Sequence, residues 1–241
     1  MAQTPGPSTG VFYAYAKTIR DDWSARYLIT FATRDVADAW FRAVTDSQAA
    51  GYKTFENVKR MSPQFFTHSG GPGDIRETIN DHKVASAFHG RVFFTLLNDR
   101  DGRIISVAPV LNYTDHTSGT SFYIRSVAQP DTYWFYDAPR ETVVAHQSRR
   151  SQFIIKIADN ARAPGSIIIG SDDIHITTAS GINIGITNRE NQLSYSANPF
   201  PLRFSSFANR DFQISSWEDD RHPNIGPLAR NPGKGERWEL L

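Results

Sequence analysis

Ile174-His175-Ile176-Thr177-Thr178-Ala179-Ser180-Gly181-Ile182-Asn183-Ile184-Gly185-Ile186 is the stretch whose reading decides the fold class. Isoleucines recur at alternate positions on both sides of Ser180-Gly181, and the glycine stands where a chain reversing on itself needs positive φ. The stretch therefore reads as a β-hairpin. Just before it, Asp172-Asp173 sit at the strand entry. Carboxylates there cap a turn and His175 alternates outward, so turn chemistry accounts for residues that would otherwise be read as an acid and base pair.

The same texture extends from Arg91 onward: short apolar runs separated by turn residues, with no helical period. The runs fall at 92–97, 104–107, 122–127, 133–136, 142–146, 153–157, 166–169, 174–178, 182–186, 193–195 and 212–215. So many short strands in so little chain imply an all-β barrel or sandwich rather than βαβ units. A second hairpin is expected at Asp101-Gly102, between Phe94-Thr95-Leu96-Leu97 and Ile104-Ile105-Ser106-Val107.

Toward the amino terminus the pattern changes. Strands are expected at 11–16 and 27–32, followed by a helix over 35–47 in which Val36, Trp40, Ala43 and Val44 make one apolar stripe. Thr33 is its N-cap, Asp35 favours the first turn, and Gly51 lies past its end. The run His68-Ser69-Gly70-Gly71-Pro72-Gly73-Asp74 marks a loop or linker leading into a short helix over 74–82. Asp74 at that helix's cap already supplies a carboxylate, which disfavours an anion site there. The expected organisation is an α+β segment at 1–88, a β domain at 89–216 and a polar tail at 217–241. That tail is rich in Pro and Gly and is expected either to lie extended over the surface, anchored by Trp238, or to fray.

Composition removes several function classes. Among 241 residues there is no cysteine, which eliminates disulfides, thiolate metal sites and cysteine nucleophiles. Lys and Arg number 26 against 25 Asp and Glu, so no overall field favours a polyanion, and bulk nucleic-acid binding is not expected. His-Glu-x-x-His, Gly-x-Ser-x-Gly and phosphate-loop motifs are missing. The seven histidines lack metal-ligand spacing. No catalytic residue, metal or cofactor is expected. No apolar run reaches the ~20 residues of a membrane span, and residues 1–10 lack a secretory core, so a cytoplasmic protein is expected. The sequon Asn112-Tyr113-Thr114 matters only in a secreted chain.

Two stretches share a cadence. One runs Tyr133-Trp134-Phe135-Tyr136, Val143-Val144-Ala145, Ser151-Gln152-Phe153-Ile154-Ile155. The other runs Ile174-His175-Ile176-Thr177, Ile182-Asn183-Ile184-Gly185, Arg210-Asp211-Phe212-Gln213-Ile214. Each resembles a unit of the β-trefoil lectins, many of them fungal, in which a closing Phe-x-Ile strand meets its counterparts on a pseudo-threefold axis. The resemblance covers about half the chain and implies a mainly β, β-trefoil-like barrel over 89–216 beside the small α+β segment. The Gln-x-Trp signature of the ricin-type branch is missing, so the family supplies no site residue.

The surface candidate is Asp131-Thr132-Tyr133-Trp134-Phe135-Tyr136-Asp137. Sugars bind through aromatic faces on their C–H patches, with short acids taking the hydroxyls, and Asp131, Tyr133, Trp134 and Asp137 supply both. Alternation puts Tyr133 and Phe135 on one side of the strand and Trp134 and Tyr136 on the other, so one side is core. The competing reading makes all of them core aromatics beside a turn. Arg149-Arg150 read as solvated loop charge. The resemblance implies a non-enzymatic, carbohydrate-binding protein with a glycan or protein partner. Two rivals stand beside it: a flavin-binding split-barrel enzyme, whose opening hairpin Phe94-Thr95-Leu96-Leu97-Asn98-Asp99-Arg100-Asp101-Gly102-Arg103 resembles, and a protein-interaction or protease-inhibitor module.

Overall fold

A computed structural model describes residues 10–20, 25–97, 113–187, 190–215 and 226–241. The protein is mainly β and divides into two compact units, Met1–Asp115 and His116–Leu241.

In the first unit, β1 (Phe12–Thr18), β2 (Tyr27–Phe31), β3 (Lys59–Ser62), β4 (Phe65–His68) and β5 (Val92–Leu96) form one sheet in the order β3-β4-β1-β2-β5. β4 runs parallel to β1 and the other pairs are antiparallel. Helix α1 (Arg34–Ala49) is capped as its sequence dictates, Thr33 Oγ1 accepting a hydrogen bond from the Val36 N–H at 3.2 Å. Its apolar stripe buries Ala37, Trp40 and Val44 with Ile29, Phe31 and Phe66 of the sheet. Trp40 lies 5.5 Å from the Phe31 ring and 5.4 Å from Phe66.

The run 68–74 is not a linker. His68 is fully buried, its Nε2 2.9 Å from the Ala25 carbonyl oxygen and its Nδ1 accepting from the Gly70 N–H at 3.2 Å. Asp74 accepts from the buried Tyr27 hydroxyl at 2.7 Å and from the Arg76 N–H, capping a short 3-10 helix at Ile75–Ile79. Burial, and then the bond to Asp74, raises the Tyr27 hydroxyl's pKa. Gly73 is obligatory by space: a Cβ there would lie 2.4 Å from Ser69 Oγ and 2.8 Å from the Thr54 carbonyl oxygen. These ties make the segment an internal loop of the first unit. The boundary accordingly moves from 88 to Asp115, because β5 pairs along its whole length with β2.

The second unit holds a twelve-stranded sheet. Its strands are β6 (Thr120–Phe122), β7 (Ile124–Ser126), β8 (Tyr133–Asp137), β9 (Thr142–His146), β10 (Phe153–Ile157), β11 (Asp173–Thr178), β12 (Asn183–Ile186), β13 (Leu193–Tyr195), β14 (Leu202–Arg203), β15 (Phe212–Ile214), β16 (Gly226–Arg230) and β17 (Trp238–Leu240). The main path runs β17-β7-β8-β9-β13-β12-β11-β10-β6. β6 and β7 are separated by Tyr123 alone, so the strand that pairs with β10 continues directly into the strand that pairs with β8. The sheet thereby nearly closes into a barrel, which limits the exposed edges that an open sheet leaves for aggregation.

The quoted hairpin forms as read. β11 and β12 pair in antiparallel register with Ile176 opposite Ile184, and Gly181 has φ of +85°. Asp172 Oδ2 accepts from the Ile169 N–H at 2.9 Å, the capping role expected of it. The expected strand at 166–169 is instead a single bridge, Thr117 to Ile167. The expected tail is a second correction. Residues 226–241 contribute β16 and β17, Trp238 is only 2% exposed, and its Nε1–H donates to the Phe212 carbonyl oxygen. The expected strand at 104–107, the Asp101-Gly102 hairpin and residues 217–225 lie outside the described residues.

No helix among the described residues is long and apolar enough to cross a membrane.

Candidate functional site

The site grows from β8. Alternation sends Trp134 and Tyr136 toward the core and Tyr133 and Phe135 to the outer surface. Trp134 is 0% exposed, edge-on to Phe153 at 5.9 Å and to Phe212 at 5.1 Å. It offers no face to a ligand, and its expected place in a surface site is withdrawn on that ground. The other three expected residues stay accessible. Asp131 is exposed in the turn before β8. Tyr133 is half-buried. Asp137, also half-buried, ends the strand in an ion pair with Arg140 at 2.9 Å.

Register builds the outer surface around Tyr133. Arg125 on β7 lies opposite Tyr133, which in turn lies opposite His146 on β9. Arg125 is engaged by Glu239, its Nε donating at 2.8 Å. The Phe135 and His146 rings meet edge to face at 5.7 Å.

Two arginines complete the group. The Arg149 guanidinium lies 5.3 Å from the centre of the Phe135 ring. That of Arg150 lies 4.5 Å from the centre of Tyr123 and 5.5 Å from that of Tyr133. The short segment carrying them is tied at both ends. On one side His146 Nδ1 accepts from the Ser148 N–H at 3.1 Å and the Arg149 N–H at 3.2 Å. On the other, the Ser151 N–H donates to the Trp134 carbonyl oxygen and Ser151 Oγ accepts from the Tyr136 N–H, both at 3.0 Å.

These bonds fix the histidine's chemistry. With Nδ1 accepting from backbone donors, neutral His146 carries its proton on Nε2. Burial first, and then the Arg149 charge, hold its pKa below the ordinary imidazole value, with Asp137 opposing. The ring is therefore a neutral donor at neutral pH.

Of the residues expected from sequence, Asp131, Tyr133 and Asp137 lie on this accessible surface; Phe135, His146, Tyr123 and the two arginines beside them were not among those expected. The signal was present in the hairpin. A chain that turns at Ala138–Arg140 brings the residues following β9 back beside the start of β8, which is where Arg149-Arg150 must fall.

A separate cleft of about 380 Å³ lies in the first unit, lined by Tyr52, Phe55, Glu77, Asn80, Asp81 and Lys83 among others. Tyr52 donates to Asp81 at 2.5 Å and Lys83 lies over the Tyr52 ring at 5.6 Å, so its polar groups largely satisfy one another. Among the described residues no group of three or more His, Asp or Glu side chains could hold a metal ion. No protein-family model matches the chain, and no curated protein matches its sequence.

Proposed function

We propose that this is a lectin-like, carbohydrate-binding protein whose second unit is a β-trefoil-like barrel that binds saccharide on the outer surface of β8. The observation that carries the reading is the outward pair Tyr133 and Phe135 on a rigid strand, flanked by the Nε2–H of His146 and the carboxylates of Asp131 and Asp137. Aromatic rings offer C–H stacking, and the polar groups around them supply hydroxyl partners. Support for the trefoil reading comes from the near-closed ring and from Phe153 and Phe212, the closing phenylalanines of the two similar stretches, both packing on Trp134.

The test is a glycan array probed with the full chain and with Y133S/F135S. Binding of a restricted set of saccharides by the wild type, lost in the variant at unchanged melting temperature, is the expected result. A blank array, or binding indifferent to the substitutions, overturns the reading.

A second reading, a protein-interaction module, is favoured by the first unit. Tyr13, Thr30 and Phe93 align across β1, β2 and β5 on the sheet face away from Trp40, with Tyr13 42% and Phe93 56% exposed. Exposed apolar patches of this kind mark contact surfaces. The flavin reading rests on a hairpin mostly outside the described residues.

A further inference from the structure

Resting on the carbohydrate reading of the β8 surface, we infer that its ligand is an acidic saccharide whose carboxylate or sulfate is held by Arg149 and Arg150. Three observations lead there.

First, the two guanidinium groups have no carboxylate partner among the described residues. Arg125, one strand away, is engaged by Glu239, and Arg140 by Asp137. A planar guanidinium lying over a ring still has its N–H donors free around its edge, and those donors match the paired oxygens of a carboxylate or sulfate.

Second, both groups are oriented before any ligand arrives. Long exposed arginines ordinarily lose rotamer freedom on binding. Here Arg149 lies over the Phe135 ring and Arg150 over the Tyr123 and Tyr133 rings, and the backbone between His146 and Ser151 is pinned at each end. Mobile surface charge does not need such fastening.

Third, the arginines share their rings with the sugar site. An anion held by Arg149 and Arg150 places the rest of its molecule over Phe135, Tyr133 and the outward nitrogen of His146. Neutral sugars find the same rings with part of each face already covered by a cation, which sets acidic ligands above them. The chain as a whole is nearly balanced at +1, so this selectivity is local rather than a general attraction for polyanions.

The experiment is titration calorimetry on the full chain with four probes at equal ionic strength: a neutral oligosaccharide, its uronate-containing counterpart, its sulfated counterpart, and polyglutamate as an anion without sugar. R149Q/R150Q is titrated alongside. Both arginines are exposed, so the variant is expected to keep its melting temperature. The expected result is at least about tenfold tighter binding of one acidic oligosaccharide than of the neutral one, a preference removed by R149Q/R150Q and weakened by added salt. The uronate and sulfate arms distinguish the two anions. Equal affinity for neutral and acidic sugars, unmoved in the variant, overturns the acidic specificity while leaving the carbohydrate reading standing. Binding of polyglutamate as tightly as of the acidic sugar also overturns it. No binding of any saccharide overturns both.

Discussion

Trp134 and Phe212 meet edge to face at the centre of the second unit, ring centroids 5.1 Å apart and planes at 89°. The contact ties β8 to β15 across 78 positions of sequence and is joined by Phe153, Phe207 and Trp238. Trp134→Ala leaves a large cavity there and is expected to cost about 3–5 kcal/mol. Trp134→Phe is expected to cost far less, because the buried indole N–H has no acceptor among the described residues and its loss leaves nothing unpaired. Denaturant unfolding of the two variants checks the ordering. An equally mild effect of both would place Trp134 outside the core.

That core was half legible in sequence. Strand alternation establishes that Tyr133 and Trp134 face opposite ways, but alternation alone does not say which side is inside. Burial is decided by partners distant along the chain, and Phe207 and Trp238 come from segments that read as irregular or as tail. Local signals fared better. The Thr33 cap, the α1 stripe and the Ser180-Gly181 turn depend on neighbours a few residues away; the cap and the turn form as read, and of the stripe Trp40 and Val44 are buried while Val36 and Ala43 are partly buried against the same core. β3 and β4 were missed because Lys59-Arg60-Met61-Ser62 carries no apolar alternation and takes its strand identity from pairing with β4. Arg149 and Arg150 were legible as charge, yet the rings beneath them follow only from the β8–β9 register.

Gly235 is needed for a close approach of backbone. A Cβ at that position would lie 2.2 Å from the Phe212 carbonyl oxygen and 2.8 Å from the Gln213 nitrogen. Neither is a flexible side-chain end that can yield. Gly235→Ala is therefore expected to destabilise the second unit by at least about 1–3 kcal/mol. Thermal unfolding measures this, with Gly233→Ala as a comparison in which the strain comes from a φ of +73° and space is open.

In the first unit, Arg60 is buried between carboxylates, Nη1 2.7 Å from Asp38 and Nη2 2.7 Å from Asp115. Its guanidinium also lies near the Phe41 and Phe66 rings, at 5.9 and 5.8 Å. These are close charge contacts whose angles fall short of directed hydrogen bonds. Asp38→Ala leaves the buried guanidinium with Asp115 alone and is expected to cost about 1–3 kcal/mol. D38A/D115A strands it without either carboxylate and is expected to cost about 3–5 kcal/mol. Both are read from the denaturation midpoint, and a double variant no worse than Asp38→Ala contradicts the assignment.

His146 and His175 give the second unit a pH dependence. Burial holds both below the ordinary value of 6.5, reinforced by Arg149 at His146 and by Lys156 at His175. The unfolded chain therefore binds protons more readily than the folded one between the depressed values and 6.5. The stability they contribute is fully present above that range and lost as pH falls through it. H146Q/H175Q is expected to flatten the decline in melting temperature between about pH 7.5 and 5. An unchanged slope would show that other groups set it.

The most direct measurement of the proposed role is hydrogen exchange of the full chain with and without the best-binding saccharide from the array. Added protection is expected in peptides covering 133–137 and 146–151, with residues 52–83 around the first-unit cleft unchanged. Protection confined to 52–83, or none in either region at saturating ligand, would contradict a saccharide site on β8.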